Sequence, residues 1–198
     1  MVYHIKKTDK ENFSIEDPLW EEIESLSINC FPWESYQQPI RTTAKLVYTD
    51  VGITVQCTTD EQPLTAVKTH MNDSVCEDSC MEFFLRSRDS ARYMNLEFNP
   101  LGTMLIGIGT PSGNNALPFD TPPIRTVSKI DTGSWTLQFT LPFSFAETYL
   151  GNIRPSFYGN FYKCGDKTEH PHYACWSPIT YATPNFHLPD QFGKFILV

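Results

Sequence analysis

Two short segments carry the residues with the most chemical potential. Cys80–Arg86 and Tyr93–Asn99 both read as β-strands, in which side chains alternate between two faces. Met81, Phe83 and Leu85 share one face of the first strand, and Met94, Leu96 and Phe98 share one face of the second. Both faces are wholly apolar and predict core. The opposite faces hold Cys80, Glu82, Phe84 and Arg86, and Tyr93, Asn95, Glu97 and Asn99. The polar segment Ser87–Arg92 has the length of a hairpin connection. A hairpin centred near Asp89-Ser90 sets Glu82 opposite Glu97, Phe84 opposite Asn95 and Cys80 opposite Asn99. Like charges directly opposed in a sheet are destabilising, so a cation, a proton or ligand hydroxyls must offset them.

Two chemistries suit such a pair. Opposed residues place their Cβ atoms about 5 Å apart, close to the roughly 5–5.5 Å between the carboxyls of a retaining glycosidase. A Glu82/Glu97 pair therefore fits glycoside hydrolysis, provided that it lies in a cleft that splits the two pKa values. A planar platform of Glu, Asn, Arg and Tyr also suits saccharides, which offer paired hydroxyls and apolar ring faces. Arg154, Ser156, Tyr158, Asn160 and Tyr162 share one parity of a further strand and extend that platform. An ordinary solvent-facing sheet would be polar too, so pattern alone leaves these readings open.

Further clusters compete with this face. Cys164, His170, His172 and Cys175 are all zinc-ligating types, with His170 and His172 on one side of an extended stretch. Their spacing fits no finger or ribbon pattern, and buried thiols beside a loop explain them as well. His70, Met71, Met94 and His187 are haem-ligating by type only. The six cysteines form no dense framework, and most lie in apolar strand-like runs where a thiol acts as a small hydrophobe.

The elements that would position these residues are short strands. Ala44–Thr49, Ile53–Thr58, Cys80–Arg86, Tyr93–Asn99, Thr103–Ile108, Arg125–Ile130, Trp135–Leu141, Pro155–Cys164, Tyr173–Pro178 and Phe192–Val198 carry β patterning between turn signals such as Asp50-Val51-Gly52. Two short helices are expected. One has Asp17 as N-cap and Pro18 at its first position. The other, Phe145–Leu150, opens on a Ser144/Glu147 capping box. Trp20 and Trp135 sit at apolar positions and read as core, whereas Trp176 fits core or platform edge. Two irregular loops, Gly109–Pro123 and Thr180–Asp190, are long enough to suggest function. With no repeats or linkers, residues 1–198 read as a single all-β sandwich domain.

Composition narrows the partners. A net charge of −8 with no Lys/Arg run longer than Lys6-Lys7 argues against nucleic acid. No segment approaches the roughly 18–20 apolar residues that a membrane helix needs. No secretory signal is visible at Met1–Lys7, so the chain reads as cytoplasmic as written and as secreted if a leader precedes it. Nothing in the sequence fixes the oligomeric state.

The runs Glu77-Asp78-Ser79-Cys80-Met81-Glu82-Phe83-Phe84 and Tyr93-Met94-Asn95-Leu96-Glu97-Phe98-Asn99-Pro100-Leu101-Gly102 resemble the family-9 carbohydrate-binding modules, the stand-alone domains most closely. Trp135 before a strand ending Leu141-Pro142, the segment Gly159–Asp166 and the ending Pro184–Gly193 extend the resemblance over nearly the whole chain. It implies a jelly-roll-type antiparallel β-sandwich with one or two short helices. It also implies non-catalytic binding of a glycan, with a β-linked plant polysaccharide such as xylan or its oligosaccharides as the expected ligand. The family's hydrogen-bonding Glu matches Glu82, and its Arg and Asn strand positions fall on Asn95 and Glu97. Its amide positions fall on Asn160 and Tyr162. Of its two sugar-stacking tryptophans, one position is Cys76 here and the other is Phe186, and Trp33 or Tyr181 could fill the gap. The expected ligand-binding set is thus Glu82, Asn95, Glu97, Asn160, Tyr162 and Phe186. Calcium occurs in some family members, but no Asp/Glu-dense loop here resembles a calcium site, so no cofactor is expected. A glycosidase using Glu82/Glu97, or an interaction domain that has lost sugar binding, remains the alternative.

Overall fold

The computed structural model describes residues 1–110, 113–117 and 122–198. The strands are β1 (Val2–Lys7), β2 (Leu26–Ser27), β3 (Thr42–Tyr48), β4 (Gly52–Thr59), β5 (Cys80–Arg86), β6 (Tyr93–Phe98) and β7 (Met104–Thr110). They continue with β8 (Gly113–Ala116), β9 (Arg125–Asp131), β10 (Ser134–Pro142), β11 (Ser156–Cys164), β12 (Tyr173–Cys175) and β13 (Gly193–Leu197). One helix, α1, spans Phe143–Leu150.

The hydrogen-bonded order is β8-β7-β6-β5-β11-β13-β1-β3-β4-β10-β9, with β12 beside β11 and β2 beside β3. This path curls into two facing layers, the all-β sandwich that the alternation predicts. Phe139 of β10 meets Phe83 of β5 and stacks on Phe98 of β6, so the layers touch through aromatic rings. Met81, Phe83, Leu85, Met94, Leu96 and Phe98 all lie in this core, as their parity requires. Trp135 and Trp176 lie there too, whereas Trp20 packs with Phe13, Ile23 and Val47 in a smaller cluster.

Several local expectations change. Pairing is not wholly antiparallel, because β1 runs parallel to both β13 and β3. Strands β1, β2 and β8 are additions; β8 falls inside the stretch read as irregular loop, of which residues 111–112 and 118–121 lie outside the described residues. The Asp17-Pro18 element is a 3-10 turn, Pro18–Glu22, capped by Asp17 Oδ1 accepting from Leu19 N at 3.0 Å. The Ser144 capping box does not form. Helix α1 starts earlier, at Phe143, which puts Ser144 inside it, and Glu147 pairs with Arg154 at 2.9 Å instead. That pairing holds Arg154 beside α1, over the Phe143 ring and away from the expected platform. All six cysteines are free thiols.

The second face of β5, β6 and β11 is the main departure. Phe84, Tyr93, Tyr162, Cys80 and Cys164 form a second buried cluster with Trp33, Val75, Ile179, Phe186 and Phe192. Segments before β3, before β5 and after β12 fold over this face. It is a second core, with polar groups embedded in it, rather than an open platform.

Candidate functional site

The polar groups of this face surround a cavity of about 220 Å³, lined by Cys76, Glu82, Glu97, Cys164, Asp166, Tyr173 and Pro184 to His187. Its floor is set by strand register. Glu82 of β5 pairs directly with Glu97 of β6 and, on its other side, with Tyr162 of β11, and Phe84 pairs with Asn95. The hairpin geometry expected from parity is therefore the one observed. The walls come from the loop before β12, which carries Asp166, and from the irregular segment Thr180–Asp190, which carries Phe186 and His187.

Each floor carboxylate has one oxygen engaged by the protein. Asn95 Nδ2 donates to Glu97 Oε1 at 2.7 Å, and the Cys164 thiol donates to Glu82 Oε1 at 2.9 Å. Burial, and then the charge of Glu97, holds Glu82 well above the usual carboxylate range. Burial pushes Glu97 up to about 7, with the Asn95 amide pulling partly back. Burial also raises Asp166, against hydrogen bonds from Tyr173 and Cys76. Burial and mutual repulsion raise both carboxyls and favour one proton shared by the Glu82/Glu97 pair. A carboxylic acid beside a carboxylate offers a donor and an acceptor side by side.

The other expected residues divide. Phe186 borders the cavity, but its ring stacks on Tyr162 at 4.0 Å and 12°, so that face is already covered. Tyr162 is buried beneath it, with its hydroxyl donating to Phe186 O at 3.1 Å. Asn160 is buried and bonds both ways with the Ser177 backbone at 2.8 Å. Asn95 is buried behind Glu97. The structure brings Glu82, Glu97 and Phe186 together at the cavity and keeps Asn95, Asn160 and Tyr162 in its supporting layer. Trp33 packs against Phe186, and its Nε1 donates to Tyr181 O at 2.8 Å, so it braces the loop from behind.

Sequence reasoning did not assign Asp166, Tyr173 and His187 to this site. Asp166 and His187 stood inside the quoted motifs, but neither lies on a strand whose parity could place it. His187 shares a 2.7 Å hydrogen bond with Tyr93, which separates this cavity from a larger hollow of about 560 Å³ over Pro189 and Asn114. The Cys164/His170/His172/Cys175 set does not assemble. His172 is buried against Lys163 and Glu61, and the backbone of Cys175 pairs with that of Cys30 in an isolated β-bridge. The haem candidates separate as well, since Met94 lies in the main core and His70 is exposed.

Residues 19–197 match the carbohydrate-binding family 9 profile. The chain belongs to that family. A provisionally assigned carbohydrate-binding protein from Bacteroides uniformis is similar to this family-9 domain, with 25% identity and a TM-score of 0.85 over 100% of this chain and 99% of that one. A family-9 module from Caldicellulosiruptor kristjanssonii, solved with glucose, has 12% identity and a TM-score of 0.73 over 100% and 96% of the two chains. With cellotriose the figures are 12% and 0.70 over 100% and 93%. These last two share the fold. No curated protein shows a significant match to the chain.

Proposed function

We propose that this family-9 domain binds one terminal ring of a poly- or oligosaccharide in the cavity above Glu82 and Glu97, without cleaving it. The observation that carries this reading is the pair of buried carboxyls, directly opposed on adjacent strands, opening into a cavity of about 220 Å³. Glu82 and Glu97 serve as donor and acceptor to neighbouring hydroxyls, and Phe186 with Pro184 supplies apolar wall. Asn95, Asn160 and Tyr162 hold these groups in place. Membership of a carbohydrate-binding family and the glucose and cellotriose complexes of the Caldicellulosiruptor module support the ligand class.

The hydrolase alternative needs an acid and a nucleophile flanking a glycosidic bond, with sugars on both sides. Here both carboxyls share one floor, in a space suited to a single ring. Calorimetry against glucose, cellotriose and xylo-oligosaccharides tests the proposal. Glu97→Gln is expected to weaken binding at least tenfold, as fits the loss of a charge-assisted hydrogen bond of about 1.5–3 kcal/mol. Failure of every saccharide to bind at millimolar concentration would overturn the proposal. Released reducing sugar that disappears in Glu82→Gln would replace it with the hydrolase.

A further inference from the structure

Cys80 and Cys164 face each other across β5 and β11, and Glu82 stands two residues beyond Cys80 on the same face. One ligand atom from each of the three lies within 4.8 Å of the others, and all three residues are buried. The Cys164 thiol already points its proton at Glu82 Oε1, 2.9 Å away. The two thiols also share a side-chain hydrogen bond with each other, and each sulfur makes a weak contact at 3.8 Å, Cys80 to Met81 O and Cys164 to Cys76 O.

We propose that Cys80, Glu82 and Cys164 form a binding site for a zinc-class divalent cation beneath the cavity floor. Two residues at i and i+2 of one strand and a third on the neighbouring strand make a tripod, with all side chains directed to one side. Zn–S bonds of about 2.3 Å and Zn–O bonds of about 2.0–2.2 Å put tetrahedral ligand atoms roughly 3.5–3.8 Å apart. The three atoms are within small side-chain adjustments of that spacing. A set of two thiolates and one carboxylate selects zinc over calcium or magnesium, which prefer oxygen ligands. Glu82 and Cys164 border the cavity, so the fourth position opens there and a water completes the shell. The metal displaces the two thiol protons and any proton on Glu82, and these pass to solvent.

This site is separate from the Cys164/His170/His172/Cys175 set and shares only Glu82 with the proposed sugar contacts. The test is titration of the chelator-treated protein with Co²⁺, followed by absorption spectroscopy. One equivalent should produce thiolate-to-cobalt charge-transfer bands with tetrahedral visible bands, and Zn²⁺ should abolish them. Cys80→Ser and Cys164→Ala should lose the thiolate bands, and Glu82→Gln should weaken binding at least tenfold. Cys30→Ser, in the other cysteine pair, should leave the spectrum unchanged. X-ray absorption of the unaltered zinc-loaded protein needs no variant and should find two sulfur neighbours at about 2.3 Å. No cobalt bands at millimolar metal, a first shell without sulfur, or bands that depend on Cys30 would each overturn the site.

Discussion

Two carboxyl groups opposed across adjacent strands cannot both ionise cheaply in so dry a setting. Glu97 is the more informative of the pair, because its folded value near 7 lies above the ordinary 4.5. Between those values the unfolded chain has already released a proton that the folded chain retains. Stability from this group is therefore present at acid pH and lost as pH rises toward 7 and beyond. Glu97→Gln should leave stability near pH 4 almost unchanged. At pH 8 it should add on the order of 1–3 kcal/mol. Urea unfolding of both proteins at the two pH values checks this, and an equal effect at both would show that the carboxyl carries no such cost. The opposition of Glu82 and Glu97 was legible in the sequence, because alternation and hairpin length alone fix it. The protonation was not, since it depends on loops that close over the face. One signal did point to them. Cys80 and Phe84 flank Glu82 on the supposedly wet side, and apolar residues on both faces of a strand indicate burial on both sides.

At the scale of elements, the loops are fastened by a buried ion pair where β4, β5, β11 and β12 converge. Lys163 Nζ lies 2.7 Å from Glu61 Oε2 and 2.9 Å from His172 Nε2, and Ser79 donates to Glu61 Oε1 at 2.8 Å. The Lys163 contact makes His172 Nε2 an acceptor, so Nδ1–H donates to His170 O at 2.8 Å. Burial, then the charge of Lys163, lowers His172 to about 4, with Glu61 opposing. An unfolded His takes up its proton at the ordinary 6.5, well before the folded one does. Stability therefore falls as pH drops from 6.5 to 4, by at most about 3 kcal/mol from this group. His172→Gln should flatten that acid limb in pH-dependent thermal unfolding. An unchanged limb would assign it to other groups. Lys163→Met strands Glu61 without its cation and should cost about 3–5 kcal/mol, much of it recovered in Lys163→Met/Glu61→Leu. None of this network was legible. Lys163 and His172 sit in segments whose alternation assigns a face but not a partner, and Glu61 follows its strand in a loop.

At the scale of the whole molecule, one terminal strand joins the two layers. Strand β1 pairs with β13 through Val2–Ile5 and with β3 through Lys6-Lys7, and every other link in the path lies within one layer or the other. Residues 1–18 lie outside the family-matched segment, yet the Bacteroides structure aligns with the whole chain. The sequence hid this role because a six-residue strand with three lysine or histidine side chains shows little apolar period. Tyr3 and Ile5 nonetheless point into the main core, while Val2 is exposed. A buried charge at Ile5 has no partner there, and the lost apolar packing adds to its desolvation cost. Ile5→Asp should therefore destabilise by more than about 4 kcal/mol and uncouple the layers, replacing one cooperative transition by a broad one. Val2→Asp, at the exposed position three residues earlier, should stay within about 0.5 kcal/mol of the parent. Calorimetric unfolding reads both effects at once. If Ile5→Asp retained a single sharp transition at the parent's midpoint, the layers would be held together by the shared core without need of β1.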